Sequence, residues 1–277
     1  MCDCLRLICI TFAEKSGKVG MKHINSKCLW LTMRTLAMSL IGAGMLACMS
    51  CSSDSDDEEK PVICPGMYWQ AGDTISTDEL KAYGTDAFFA CTEISDSIFA
   101  SMQGKSFKAD CTIPRDSLRY IRCLHTDKHG NSIIGEMVLN KSIAEQVLGI
   151  FCQLYDAKYP IERMLLIDRW NADDEMAMRD NNSSSFNFRF ISHTQTVSKH
   201  GMGLAVDINT LYNPYHKFLA DGTEIIEPAT GTPYLDRTRD FDYKIEKGDL
   251  CYQLFTAASF NWGGDWEDRK DYQHFEK

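Results

Sequence analysis

The clearest hydrophobic pattern in the sequence lies between residues 117 and 155. Two stretches in which apolar and polar residues alternate flank the turn-forming residues 127–130, and together they predict a β-hairpin over 117–139. A helix is predicted over 140–155, because apolar residues recur there at helical spacing. The stripe expected to face the core consists of Ile143, Val147, Ile150, Phe151 and Leu154.

Shorter patterns predict the other elements. The segment ISTDELKAYG is typical of a helix that begins at Ser76 or Thr77, with Glu79 in its first turn. The mixture of separate helices and strands predicts one domain of α+β type over residues 62–277. Its remaining elements are expected to be a buried strand over 163–170, a polar loop over 171–185, strands over 186–191 and 203–211, a long excursion over 212–247, a helix over 250–259 and a last strand in QHFEK.

Charge divides the chain into a basic beginning and an acidic body. The 277 residues carry a formal net charge of −10, from 39 acidic and 29 basic residues, which argues against a nucleic-acid partner. Residues 1–50 hold six Lys or Arg and two Asp or Glu, so the remaining residues carry a net −14. A basic segment before an acidic body is typical of an export signal.

An apolar run over residues 36–49 supports an export signal. Its 14 residues, LAMSLIGAGMLACM, follow Arg34 and contain no charge. A transmembrane helix needs about 20 residues, whereas this length suits the apolar region of a signal peptide. We therefore assign residues 1–50 to a signal segment, in which translation could instead start at Met21 or Met33.

The cysteines at the end of this run resemble a bacterial lipoprotein signal. Cys51 is followed by two serines and an acidic run, which favours it over Cys48 as the lipid-attachment residue. Residues 51–61 then form a solvated acidic tether. The expected location is the membrane, through a lipid anchor, with the domain facing the periplasm or the cell surface. A plain secretory peptide and a core helix are the alternatives.

Six cysteines follow Cys51: Cys64, Cys91, Cys111, Cys123, Cys152 and Cys251. An oxidising compartment permits disulfides, but six cysteines allow 15 pairings, and the sequence does not choose among them. No Cys-x-x-Cys pair occurs after residue 51, so a cysteine zinc site is not supported. Cys152 lies in the apolar pattern of the predicted helix and is expected to be a small buried hydrophobe.

Two segments carry residues suited to metal chemistry. SKHGMGLAVD places His200 and Asp207 seven residues apart across a glycine turn, and DYQHFE places Asp271 three residues before His274. Two histidines and one carboxylate can hold a catalytic zinc ion and leave its fourth position to water. Either segment alone is common by chance. His125 and His129 flank the predicted hairpin turn and are expected to be solvated, while Trp262 and Trp266 suit either a cleft wall or the core.

Together the two segments resemble the M15 family of zinc D-Ala-D-Ala carboxypeptidases and L-alanyl-D-glutamate endopeptidases. The family pattern is Ser-x-His-x-x-Gly-x-Ala-x-Asp, followed near the end by an acid-x-x-His-Phe. SKHGMGLAVD fits every fixed position of the first part, and GGDWEDRKDYQHFE fits the second, with Asp where many members have Glu. The resemblance extends over roughly residues 115–277.

This resemblance implies a site and a fold. His200, Asp207 and His274 would bind one Zn²⁺ per chain, and Asp271 would be the general base. Arg189 would orient the substrate, and Ser198 would line the site near a substrate carboxylate. The implied fold is a small antiparallel sheet flanked by helices, with the zinc cleft on the sheet.

The resemblance also implies a function. The chain would be a monomeric zinc peptidase that hydrolyses amide bonds in the peptide stems of peptidoglycan, either as a carboxypeptidase or as an endopeptidase. Two alternatives stay open: a zinc dipeptidase with another substrate, and a non-catalytic cell-wall-binding protein on the same fold.

Overall fold

The computed structural model of the protein describes residues 69–191 and 194–277. The predicted signal segment, the acidic tether and both candidate lipid-attachment residues, Cys48 and Cys51, lie outside the described residues. Within the described part of the chain, no helix is long and apolar enough to cross a bilayer. In chain order its strands and α-helices are β1 (Thr74–Ile75), α1 (Thr77–Tyr83), β2 (Ala90–Thr92), α2 (Asp96–Met102), β3 (Leu118–Thr126), β4 (Ser132–Asn140), α3 (Ala144–Asp156), β5 (Arg163–Met164), α4 (Asp174–Arg179), β6 (Asn182–Ser183), β7 (Ala205–Asp207), β8 (Tyr215–Phe218), β9 (Glu224–Glu227), α5 (Leu250–Ala257), β10 (Asn261–Trp262), β11 (Lys270–Asp271) and β12 (His274–Glu276).

The predicted hairpin is the centre of the largest sheet. β3 and β4 pair along their whole length, from Leu118 opposite Asn140 to Thr126 opposite Ser132. β1 adds to the β4 edge and β2 to the β3 edge, which gives the antiparallel order β1-β4-β3-β2. Between β1 and β2, α1 begins at a capping box as predicted: the Glu79 N–H donates to the Ser76 hydroxyl, and the Ser76 N–H donates to the Glu79 carboxylate.

The core joins this hairpin to the strand that carries His274. The predicted stripe of α3 is buried, and Phe151 lies 6.5 Å from Phe255 of α5, measured between ring centroids. Phe255 in turn stacks on Phe275 of β12 at 4.5 Å, and all three rings are at most 1% exposed. A side chain next to Phe275 is therefore held by a close-packed interior.

The α+β class is confirmed, although the strands divide among several small sheets rather than forming one. A second antiparallel sheet has the order β10-β12-β7, and a third has the order β11-β8-β9. The long excursion predicted over 212–247 contains the β8–β9 hairpin of this third sheet, and β8 pairs with β11. β5 and β6 form a separate parallel pair.

The strand predicted over 163–170 is wrong beyond its first two residues. β5 ends at Met164 because the Asn182 side chain takes the place of a neighbouring strand at the next residue. Its Oδ1 accepts the Leu165 N–H at 2.9 Å, and its Nδ2 donates to the Leu165 carbonyl at 2.9 Å. The chain then turns into a 3-10 helix, Ile167–Trp170.

The polar segment 171–185 is not the loop that its composition predicted. It contains α4, which begins where the Asp173 side chain accepts the Met176 N–H at 2.9 Å, and also β6. Asn182 and Ser183 of β6 are 0% exposed. Polar side chains can be buried here because they satisfy backbone groups that lack other partners, as Asn182 does for Leu165.

The segment 186–191 is not a strand. Phe186 and Phe188 are buried, as the alternation implied, but a strand needs one continuous partner and this backbone has none. Successive N–H groups of residues 186–188 donate to three separate segments, at Val138, His200 and Ser106. The predicted strand over 203–211 is also shorter, since only β7 pairs there.

Two predictions about single residues need correction. Cys152 is buried, as predicted, but it is disulfide-bonded, whereas Cys91, Cys111, Cys123 and Cys251 are free thiols. His125 is not solvated but 2% exposed, with its Nδ1 donating to the Ile161 carbonyl at 2.8 Å. Its place on β3 explains this burial, because residues 123–126 at the end of that strand are all buried.

Candidate metal centre and cleft

Two adjacent strands bring together residues that are 67 positions apart in the chain. Asp207 ends β7, and His274 begins β12 directly opposite it in the antiparallel register. Paired residues of neighbouring strands project on the same side of a sheet, so the two side chains meet. Asp207 Oδ1 lies 2.9 Å from His274 Nδ1.

A tight turn places His200 against this pair. The Ser198 hydroxyl accepts the Gly201 N–H at 2.9 Å, and Gly203 follows with a φ of +68°. A side chain at Gly201 would lie 2.8 Å from the Arg189 carbonyl oxygen, so only glycine allows the two backbone segments to approach this closely. The turn points His200 Nε2 at the pair, 3.1 Å from Asp207 Oδ2 and 3.1 Å from His274 Nδ1.

The other nitrogen of each imidazole is held by an acceptor. His200 Nδ1 donates to the Ser185 carbonyl at 2.8 Å, and His274 Nε2 donates to the Glu276 carboxylate at 3.2 Å. His200 Nε2 and His274 Nδ1 both face Asp207, so three possible ligand atoms converge within 4.8 Å of one another. A metal ion at their centre would replace the proton that His274 Nδ1 shares with Asp207. This donor set fits Zn²⁺, for which two imidazole nitrogens and a carboxylate oxygen are common ligands.

The charges of the three residues favour a cation at their centre. Burial opposes ionisation of Asp207, but His200 and His274 outweigh it and hold the pKa of that carboxyl well below its usual range. Burial likewise disfavours a charged His274, but its hydrogen bonds to Asp207 and Glu276 are stronger and raise the pKa of His274 to about 10. The surroundings therefore attract positive charge, which a metal ion would supply in place of a proton.

Asp271 lies beside this cluster on β11. Its carboxyl oxygen Oδ1 is buried and has no hydrogen-bond partner within the described residues. Burial is the main reason that the pKa of Asp271 rises to about 7, with repulsion from Asp207 adding to it and the charge of His274 opposing it. A carboxylate with an unused oxygen and a pKa near neutrality is suited to accept a proton.

One cleft of about 510 Å³ contains all six residues that the sequence assigned to the site: Arg189, Ser198, His200, Asp207, Asp271 and His274. Arg189 does not extend freely into it. Its Nη1 lies 3.2 Å from Asp174 Oδ2, so its charge is already paired. Ser198 is used by the turn through the Gly201 N–H, but its own hydroxyl proton stays available.

Several residues that line the cleft were not singled out from the sequence. Glu276 could have been found, because it lies two residues after His274 in a predicted strand, and residues i and i+2 of a strand share a face. Four further lining residues carried no such signal, because their positions depend on the third sheet and on the turns before and after β11: Tyr215, Glu227, Arg269 and Gln273. Of the two tryptophans, Trp266 lines the cleft, whereas Trp262 is 5% exposed and belongs to the core.

Comparison with known proteins supports the resemblance over the last third of the chain. Residues 192–277 match a family model of the M15 peptidases that is described as D-alanyl-D-alanine carboxypeptidase. The matched segment contains His200, Asp207, Asp271 and His274 but not Arg189. No curated protein and no solved structure matches the sequence. The match supports a peptidase of the carboxypeptidase family.

Proposed function

We propose that the chain is a zinc peptidase that hydrolyses an amide bond in peptidoglycan stem peptides, as a D-alanyl-D-alanine carboxypeptidase. One observation carries this proposal. Three ligand-type atoms from His200, Asp207 and His274 converge in the same cleft as Asp271, a carboxylate with an unused buried oxygen. The family match supports the carboxypeptidase over the endopeptidase of the same family.

Each residue has a role that follows from its surroundings. His200, Asp207 and His274 would hold the zinc ion, while Ser185 and Glu276 fix the two imidazoles in the tautomers that coordination requires. A zinc ion bound there supplies Lewis acidity towards the scissile carbonyl and lowers the pKa of a water to about 7.

Asp271 would move the proton. Its carboxylate takes a proton from the attacking water and delivers it to the leaving amine. The buried position of Asp271 serves this role, because its Oδ1 has no hydrogen-bond partner among the described residues and can accept the proton.

The test combines metal analysis with product analysis. The purified full chain is expected to hold about one zinc ion and to release D-alanine from muropeptides of defined stem, as identified by mass spectrometry, with loss of the product after chelation and recovery with zinc. His200→Ala should abolish zinc binding and release, whereas His129→Ala, at an exposed position, should change neither. Full metal content in His200→Ala, or no hydrolysis of any muropeptide by the zinc-loaded protein, would refute the proposal.

We also propose that the domain is exported and anchored by lipid at Cys51, or at Cys48. Support comes from the uncharged run 36–49 and from the acidic residues that follow it. To reach peptidoglycan, the domain must have access to the periplasm. Two or three acyl chains on the cysteine would anchor the protein stably to the membrane. The mature protein should partition into detergent, and the Cys48→Ala, Cys51→Ala double variant should become soluble or stay uncleaved. Removal of the protein by protease treatment of intact cells would instead place it on the cell surface.

A further inference from the structure

The end of the cleft next to Arg189 is acidic. Asp174 pairs with Arg189 through both carboxylate oxygens, at 3.2 and 3.4 Å, and it also accepts the Asn187 amide at 3.0 Å. Glu227 lines the same part of the cleft. Burial raises the pKa of Glu227, and repulsion from the carboxylates of Glu175 and Asp174 adds to this effect. A substrate carboxylate placed here would have to compete with Asp174 for the Arg189 guanidinium.

A second guanidinium lies on the wall formed by Trp266. Arg269 stacks on the Trp266 ring, with its Cζ 4.2 Å from the ring centroid, and the Trp266 ring lies 5.4 Å from the His274 ring. Among the described residues, the ionic partner of Arg269 is its chain neighbour Asp268, whose side chain is 65% exposed. An exposed pair of this kind is weak, so the guanidinium keeps most of its capacity to bind an anion.

Tyr215 brings a neutral donor to the same wall. It is paired with Asp271 across β8 and β11 and with Glu227 across β8 and β9, so the three side chains form a row on one face of the third sheet. All three line the cleft. The Tyr215 hydroxyl makes no hydrogen bond to another described residue.

The phenol of Tyr215 is electrostatically linked to Arg269. Burial raises the pKa of Tyr215, so the hydroxyl keeps its proton and can donate. The positive charge of Arg269 opposes this effect and lowers the pKa of Tyr215. A guanidinium and a phenol O–H that line the same cleft are two donors that suit one carboxylate.

We propose that Arg269 and Tyr215 bind the free C-terminal carboxylate of the substrate. The inference rests on the proposed function and deepens it, because it places the substrate terminus at the Trp266 wall and not at Arg189. The scissile bond would then precede the last residue of the peptide. Stacking on Trp266 holds the guanidinium plane in one orientation, which favours a bidentate contact that an ammonium group cannot reproduce.

The test compares two peptides that differ only at the C-terminus: an N-acetylated tripeptide ending in D-Ala-D-Ala, and its C-terminal carboxamide. The wild-type chain should prefer the free acid in kcat/KM. Arg269→Gln should lower kcat/KM for the acid by about 10- to 150-fold and leave the value for the carboxamide nearly unchanged, so that the preference is lost. Tyr215→Phe should reduce the preference for the acid by a smaller factor. Arg269→Lys should retain part of the preference that Arg269→Gln loses.

Two control variants distinguish recognition from support of the fold. Lys217→Ala, on the same strand as Tyr215 but outside the residues that line the cleft, should behave as wild type. Arg189→Ala should change acid and carboxamide by the same factor, because Arg189 is paired with Asp174. The inference would be overturned if Arg269→Gln lowered kcat/KM equally for both peptides. It would also be overturned if Arg189→Ala, and not Arg269→Gln, abolished the preference for the free acid.

Failure of the proposed function gives a different result. If the zinc-loaded chain hydrolyses neither peptide, the peptidase assignment fails, and calorimetric binding of the two peptides then decides the inference. Tighter binding of the acid that depends on Arg269 would support the carboxylate site. Equal binding of acid and carboxamide to the wild-type chain would refute it.

Discussion

Asp207 and His274 occupy opposite positions on β7 and β12, with Asp207 Oδ1 2.9 Å from His274 Nδ1. The contact is set by backbone register, because the two residues form one directly opposed pair of the antiparallel ladder. A slip of one residue would move His274 to the other face of the sheet and replace it with Phe275. The stacking of Phe275 on Phe255 opposes such a slip. The same close-packed core therefore stabilises the domain and aligns the candidate metal ligands.

Substitution of Asp271 should separate metal binding from catalysis. In Asp271→Asn we expect zinc to be retained and kcat to fall by about 10²–10⁴-fold, because an amide cannot accept the proton of the attacking water. Asp271→Glu should retain partial activity, since a carboxylate is preserved. Zinc content and kcat are measured on the same preparation. Wild-type turnover in Asp271→Asn would show that another group is the base.

Glu276 should act on metal affinity through His274. Its carboxylate accepts the Nε2–H of His274 at 3.2 Å, which keeps Nδ1 free to coordinate. We expect Glu276→Ala to weaken zinc binding by about 10- to 100-fold and Glu276→Gln to have a smaller effect, because an amide oxygen can still accept the bond. Competition with a fluorescent chelator measures the affinity. Glu267→Ala is the matched control at an exposed acidic position, and equal affinities of the two alanine variants would contradict this role.

Gly203 should be far less tolerant of alanine than Gly222. Both have positive φ, at +68° and +84°, so alanine at either site costs about 1–2 kcal/mol of backbone strain. At Gly203 the new Cβ would also lie 2.7 Å from the Asn140 nitrogen, which donates to the Gly203 carbonyl, whereas nothing lies within 4 Å at Gly222. Chemical denaturation should therefore show an extra loss of about 1–3 kcal/mol for Gly203→Ala. Equal losses for the two variants would mean that the turn has room for a side chain.

The buried His125 should make the free energy of unfolding depend on pH. Burial lowers the pKa of His125 from its ordinary value of 6.5 to about 4. Between these two values the unfolded chain binds the proton and the folded chain does not, so the folded state loses stability as pH falls from 6.5 to 4. This contribution amounts to about 2 kcal/mol between pH 7 and pH 5.

Urea denaturation at both pH values checks this prediction. His125→Gln cannot take up a proton, so its loss of stability from pH 7 to pH 5 should be smaller than that of the wild type by about 2 kcal/mol. His129→Gln, at an exposed position four residues away, should keep the wild-type dependence. An unchanged pH dependence in His125→Gln would mean that this imidazole is protonated in the folded protein.

Local patterns were sufficient for the elements whose stability is local. The hairpin of β3 and β4 follows from alternation around a four-residue turn, α1 from the capping box of Ser76 and Glu79, and α3 from the helical spacing of its apolar stripe. The residues of the candidate centre were also recognisable, because imidazole and carboxylate groups at those spacings form a distinctive chemical set. Composition alone could not show that Asn182 and Ser183 of the polar segment 171–185 are buried, since they pair with backbone groups of Leu165 and Asn209.

Tertiary structure decided what each candidate side chain contacts. The sequence determined that Arg189 and Arg269 are cations near the two motifs, but only the fold pairs Arg189 with Asp174 and stacks Arg269 on Trp266. It alone places Tyr215 beside Asp271, because β8 and β11 come from segments more than 50 residues apart. His125 likewise lies next to a turn in the sequence, but in the structure it is buried like a core residue. Burial and ion pairing depend on which distant segments meet, and that outcome is fixed by the packing of the whole domain rather than by the order of neighbouring residues.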